Sequence, residues 1–231
     1  NPFLGVRAIR FCLKRPDIFM SQLRAILRAS AYGKVRLMFP MVATVEEVDQ
    51  AMRFVDKAKK ELDAEGIHYN ANLDIGIMVE VPSAAVIADQ LAKVVDFFSI
   101  GTNDLVQYCL AADRANPNVA YLYQPGHPSI IRLLRNIVSA ACDEGKWVSI
   151  CGEMAGEPLL VPLVLGLGIQ ELSMSPNSIG VVKRLIRRVR MHEAEALVEE
   201  AASCGTAKEV RMLCESFVAR TVPDLLPSIN V

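Results

Sequence analysis

The sequence predicts an α/β fold in which parallel strands are joined by crossover helices. Two observations predict it: short apolar runs alternate with longer stretches of 3.6-residue period, and within the runs each face has its own chemistry. The candidate strands are 35–41, 73–80, 96–101, Trp147–Cys151 and 171–175. In the third, Phe98 and Ile100 fall on one side, and Ser99 and Gly101 on the other. Val148 and Ile150 likewise oppose Ser149 and Cys151, and Leu172 and Met174 oppose Ser173 and Ser175. The greasy face suits a cover of helices; the small or polar face suits the axis of a parallel barrel and, at the carboxyl ends, an active site.

The helices between the strands have readable ends. Thr44 with Glu47 three residues on predicts a capping box for a helix running to about Gly66, and Ser83 is placed to cap the helix after the second strand. Ser129 starts another that stops near Gly145, a natural left-handed terminator. After Ser175 only helical patterns follow, with a second capping box at Thr206 and Glu209, so 176–231 is expected to form an outer or interfacial helical layer. Without a linker or a repeat, 1–231 is expected to be one domain. An eight-stranded barrel typically needs about 250 residues. With about five strands legible, either 1–10 supplies another strand and the rest lie upstream, or the sheet is open, with edges that invite aggregation.

The chain has 231 residues, of which 52% are apolar, enough for a buried core. Its 25 basic and 26 acidic residues leave a formal charge of -1, so no global field draws it to nucleic acid or anionic lipid, and an anionic ligand must be held locally. The apolar runs 75–79 and 159–167 are too short to span a bilayer, which predicts a soluble protein. The six cysteines lack CxxC or zinc-finger spacing, as expected in a reducing cytoplasm, and Cys12, Cys142 and Cys214 fall in helical patterns that predict buried, inert thiols. The abrupt start at Asn1 without Met suggests a fragment of something longer.

Chemistry gathers at the strand ends. Glu80 closes the second strand just before Val81-Pro82, where proline bars further pairing, and serves either as a ligand carboxylate or as a first-turn acid of the next helix. Asp104, in Ser99-Ile100-Gly101-Thr102-Asn103-Asp104-Leu105, is a second carboxylate at the same rim, although Asn-Asp is also a common turn pair. Two carboxylates from different strands suit Mg²⁺, which keeps waters and takes its other oxygens from a phosphorylated substrate. Arg114 and Arg7 offer bidentate grips for carboxylate or phosphate, or are plain solvated arginines. Cys151, before Gly152 on the polar face, is a candidate proton donor, a nucleophile or a structural thiol. His127, beside Pro128, fits a turn or cap role better than phosphoryl acceptance.

Five segments together resemble enzyme I of the bacterial phosphotransferase system, the phosphoenolpyruvate-protein phosphotransferase family. They are Asn1-Pro2-Phe3-Leu4-Gly5-Val6-Arg7-Ala8-Ile9-Arg10, Met38-Phe39-Pro40-Met41, Met78-Val79-Glu80-Val81-Pro82, 96–104 and 150–156, with Gln107-Tyr108 and Asp113-Arg114 following the fourth. The resemblance implies a (β/α)8 TIM-type barrel whose first strands are missing, plus the carboxyl-terminal helices. It assigns Glu80 and Asp104 to Mg²⁺, Arg7, Asn103, Asp104 and Arg114 to phosphoenolpyruvate, and Cys151 to protonation of the enolate carbon. It also implies a homodimer formed through this domain, a missing amino-terminal domain that carries a phosphorylated histidine and docks the carrier HPr, and a place in cytoplasmic sugar transport. Two further phosphate-binding arginines of the family fall on strands absent here, so the chain alone is expected to be inactive. Val6 and Val81 depart mildly from the family pattern, and the nitrogen-regulatory branch fits as well as the sugar branch. The competing expectations are a phosphoenolpyruvate synthase or pyruvate phosphate dikinase barrel, a citramalate- or aldolase-type lyase, and a non-catalytic phosphoenolpyruvate-sensing dimerisation module.

Overall fold

A computed structural model describes residues 2–225; Asn1 of the first motif and the last residues of the expected helical layer, 226–231, lie outside it. Its elements run α1 (Ala8–Lys14), α2 (Pro16–Ala29), β1 (Leu37–Phe39), α3 (Val45–Ala64), β2 (Ile75–Val79), α4 (Pro82–Val86), α5 (Ala88–Leu91), β3 (Phe97–Gly101), α6 (Thr102–Cys109), α7 (Pro128–Asp143), β4 (Trp147–Cys151), α8 (Glu153–Gly156), α9 (Val161–Gly166), β5 (Glu171–Leu172), α10 (Pro176–Ile186), α11 (Met191–Ser203) and α12 (Ala207–Thr221). Short 3₁₀ turns precede α1, precede α7 and follow α12. Among the described residues no helix is long and apolar enough to cross a membrane.

The five strands form one parallel sheet in the order β1-β2-β3-β4-β5, so every crossover steps the same way and the order never reverses. The face chemistry expected from the sequence follows. Phe39, Ile77, Val79, Phe98, Ile100, Val148 and Ile150 are buried in the main core. Helices cover that face because their apolar positions recur at i, i+3, i+4 and i+7: α3 buries Val48, Ala51, Val55, Ala58 and Leu62, and α7 buries Ile130, Ile131, Leu134, Ile137 and Ala141. Each fully buried aliphatic side chain contributes about 1.5–3 kcal/mol, so these two stripes anchor the layer. Met38, Gly76, Met78, Ser99, Gly101, Ser149 and Cys151 fall on the other, inner face, which is set by the register pairs Met38↔Gly76, Met78↔Ser99, Ser99↔Ser149 and Gly101↔Cys151.

Several expectations need correction. Residues 1–10 supply no strand among the described residues. Gly5 N donates to Pro2 O at 3.2 Å to close a tight turn, α1 starts at Ala8, and Ile9 N donates to Pro40 O at 3.3 Å, so the segment meets the end of β1 instead of pairing along it. Ser83 is not a cap: proline occupies the start of α4, Val81 is its N-cap, and the Ser83 hydroxyl donates to Ala43 O at 2.9 Å. At α3 the Thr44 hydroxyl accepts from Glu47 N at 3.4 Å, but the Glu47 carboxylate accepts from Ala43 N at 2.7 Å, one residue earlier than a full capping box requires. The box at Thr206 and Glu209 is complete, and Gly145, at φ +66°, turns the chain off α7. Cys142 is exposed, and Cys12 is half-buried where α1 packs against the edge of the core; Cys214 is buried, and desolvation pushes its thiol up to about 12.

Candidate active site

The rim at the carboxyl ends of β2, β3 and β4 is built around a missing side chain. Continuing the β2–β3 register by one residue sets Glu80 beside Gly101, which pairs with Cys151. A Cβ on Gly101 would lie 2.8 Å from Glu80 Oε2 and 2.9 Å from Met78 Sδ. Glycine therefore opens the space in which the Glu80 carboxylate rests on the inner face.

Glu80 is 4% exposed, and its Oε1 accepts a 2.6 Å hydrogen bond from Met41 N. Met41 holds φ +59°, a conformation that costs a non-glycine residue about 1–2 kcal/mol and here turns its N–H onto the carboxylate. Desolvation pushes the Glu80 carboxyl up to about 7; the Met41 amide opposes the shift, the charge and hydrogen bond of Asp104 add to it, and Arg7 offsets part of it. Asp104 stands in the first turn of α6, and the Arg7 guanidinium faces it as a loose fork, with Nη1 to Oδ1 at 3.5 Å and Nη2 to Oδ2 at 3.4 Å. Tyr108 steadies that arginine. Its hydroxyl accepts from Arg7 Nη1 at 3.2 Å and donates to Phe3 O at 2.7 Å.

Cys151 is half-buried at the end of β4. Desolvation raises its thiol pKa, a Ser99 hydrogen bond opposes the rise, and the negative charges of Glu80 and Asp104 add to it, so all three acidic groups share one neighbourhood. Thr102 Oγ1 donates to Cys151 O at 2.7 Å and fixes the strand end. Asn103 lies alongside, its Oδ1 accepting from Glu153 N at 3.0 Å and from the Tyr123 hydroxyl at 3.3 Å. Arg114 reaches the same Glu153 through a 3.9 Å contact from Nη1 to Oε1, with Glu153 71% exposed, so this pair is weak and the guanidinium is available. A cavity of about 570 Å³ opens beside Asn103, Cys151, Gly152 and Ser173.

The six candidate site residues thus meet in two groups, Arg7–Asp104–Glu80, and Asn103 with Arg114 linked through Glu153, with Cys151 at the end of β4 joining them. His127 caps α7, its Nδ1 accepting from Ser129 N at 3.2 Å. Sequence reasoning missed Tyr123 and the Met41 amide, and placed Ser99 on the inner face without its hydrogen bond to Cys151. Tyr123 lies twenty residues from Asn103, on a loop whose return path leaves no periodic signal.

The rim's chemistry suits a hard divalent cation: two oxygen-donor carboxylates in contact, one of them buried and raised, with a loosely placed arginine as their cationic neighbour. Among the described residues no group of three or more His, Cys, Asp or Glu is placed to hold a metal ion, so an ion at this rim would have only Glu80 and Asp104 from the protein, with its remaining positions left to water and substrate oxygens.

Residues 1–191 match the family model described as PEP-utilising enzyme, PEP-binding domain. The chain is 52% identical over 94% of its length to a phosphoenolpyruvate-protein phosphotransferase of Mycoplasma capricolum subsp. capricolum, and 53% identical over 95% to that of Listeria monocytogenes. A Geobacillus stearothermophilus protein of the same name is 52% identical over 96%. In each case the chain spans 38% of the relative's length. A crystal structure of a citrate lyase from Burkholderia xenovorans LB400 superposes with a TM-score of 0.53 at 20% identity, covering 87% of this chain and 68% of that one, a likeness of fold alone. The matched residues include the whole rim, and the chain belongs to the family of PEP-binding domains of PEP-utilising enzymes.

Proposed function

We propose that this chain is the phosphoenolpyruvate-binding and pyruvate-forming part of a Mg²⁺-dependent phosphoenolpyruvate-protein phosphotransferase. The observation that carries the reading is the meeting of Glu80, Asp104, Arg7 and Cys151 at the carboxyl ends of adjacent parallel strands. The one-way strand order supports a (β/α)8 barrel to which this chain contributes five strands, all in one domain spanning 1–231. The helices from 176 onward form its outer layer and a surface for a homodimer. The whole protein is cytoplasmic.

Glu80 and Asp104 would hold Mg²⁺, which when bound neutralises the paired carboxylates and draws charge from the phosphoryl and enolate oxygens. Arg7 grips the phosphoryl group, while Arg114 and the Asn103 amide orient the carboxylate end of phosphoenolpyruvate. The bridging P–O bond breaks as a P–N bond forms to a histidine on a separate domain, from which the phosphoryl group passes to HPr. The enolate of pyruvate remains. Cys151 Sγ gives its proton to the methylene carbon, turning the enolate into pyruvate, and the thiolate recovers a proton from solvent. Desolvation suits Cys151 to this task, because a raised thiol pKa keeps it protonated at neutral pH.

Replacing Cys151 by Ala in the full-length protein should slow pyruvate formation by about 10²–10⁴-fold, the usual worth of a positioned proton donor, and leave Mg²⁺-dependent binding of phosphoenolpyruvate intact. Normal pyruvate formation by that variant sinks the assignment. The chain alone should bind phosphoenolpyruvate weakly and transfer nothing to HPr.

A further inference from the structure

Among the described residues the amide of Asn103 is held from its oxygen side. Glu153 N is an unambiguous donor, so the atom 3.0 Å from it must be the amide oxygen, and the Tyr123 hydroxyl supplies a second donor at 3.3 Å. A carbonyl oxygen has two lone pairs, and both are engaged. The assignment of the amide is thereby fixed, and its two N–H groups belong to the other terminal atom, Nδ2. The backbone around the contact is tightly fitted: a Cβ on Gly152 would come within 2.7 Å of Asn103 Oδ1 and 2.5 Å of Thr102 Oγ1.

We infer that Tyr123 is a positioning residue for substrate, acting through Asn103: its hydroxyl locks the amide so that Nδ2 presents both donors to the bound anion. The inference rests on the proposed reading of Asn103 as a substrate residue. Tyr123 is suited to the task by its burial. Desolvation pushes its phenol up to about 12, so it remains a neutral donor throughout the physiological range. It also stands on the 110–127 loop that brings Arg114 to Glu153, so one loop aligns two of the proposed substrate groups.

The test is a double-mutant cycle in the full-length phosphotransferase, with phosphoenolpyruvate as the varied substrate and thermal melting recorded for each variant. Tyr123→Phe keeps the ring and removes the donor. It should raise KM for phosphoenolpyruvate by about 2- to 10-fold, the net worth of one hydrogen bond, with kcat changed less than KM and melting unchanged. In the Asn103→Ala background the same change should have no further effect. An effect of Tyr123→Phe that persists in the Asn103→Ala background, or an unchanged KM, overturns the inference. An Asn103→Ala variant with wild-type KM overturns instead the reading of Asn103 on which the inference stands.

Discussion

At the amino-terminal end of the sheet's inner face, the space beside Gly76 is filled by the ring of Phe97, whose Cδ2 and Cε2 would lie 2.6 Å from an added Cβ. At the carboxyl-terminal end the space beside Gly101 is filled by the carboxylate of Glu80. Phe97 stacks on Trp147, with ring centroids 4.5 Å apart and planes 13° from parallel, and the Arg36 guanidinium lies 4.5 Å from the Trp147 centroid. That end is closed by packed rings and a cation whose partner, Asp74, stands 3.2 Å away. The rim end holds two carboxylates, one raised to about 7, against one loosely placed arginine. The same glycine device thus serves packing at one end of the strands and charge at the other. Stability belongs mainly to the first end and ligand chemistry to the second.

The two ends differ most at Gly101. Gly101→Ala should displace the Glu80 carboxylate and cost about 10²-fold in pyruvate formation by the full-length protein, the scale of an ångström-sized misplacement at a reacting centre. Activity within twofold of wild type would show that the glycine gap does not set the carboxylate's position. Gly76→Ala should act at the other end, destabilising the fold by about 1–3 kcal/mol in urea unfolding through overpacking against Phe97, with KM for phosphoenolpyruvate unchanged. A shift in KM from that variant would join the two ends that the comparison separates.

The buried carboxyl at the rim has a smaller, pH-dependent effect. Folding raises the Glu80 carboxyl from 4.5 to about 7, so its contribution to stability without metal is fully present below pH 4.5. It is lost as the pH climbs through about 7, because ionising the buried carboxyl costs more in the folded state. The melting temperature of the wild type relative to Glu80→Gln should therefore fall across that window, and Mg²⁺, which favours the ionised carboxylate, should reduce the fall. A flat difference would mean that the carboxyl is not raised.

The parts of this molecule legible in its sequence are those fixed by period. Strands β2, β3 and β4 were readable to within two residues at either end, because burial of one face forces alternation, and position along a strand fixes which side chain reaches the rim. Glu80 and Cys151 follow from that rule. The expected strand 35–41 shrinks to three residues, since Pro40 has no N–H to pair and Met41 turns to positive φ to reach Glu80. The expected strand 171–175 shrinks to two, with β4 its one partner among the described residues. Arg7 and Arg114 could be named as candidates but not placed, because their positions depend on how 2–7 and 110–127 fold back over the rim. Tyr123 was hidden for the same reason.

The exposure of Cys142 at the end of α7 has a practical use. α7 begins beside the loop that overhangs the rim and ends just before β4 starts, so this thiol lies on the opposite side of the molecule from the rim. Cys142 is the exposed thiol of the six, while Cys12, Cys109 and Cys204 are half-buried, Cys151 is half-buried and raised, and Cys214 is shielded with its thiol near 12, so a maleimide dye at neutral pH should attach first at Cys142. A fluorophore there would let energy transfer follow the approach and departure of the proposed histidine-bearing domain, suitably labelled, without obstructing the rim.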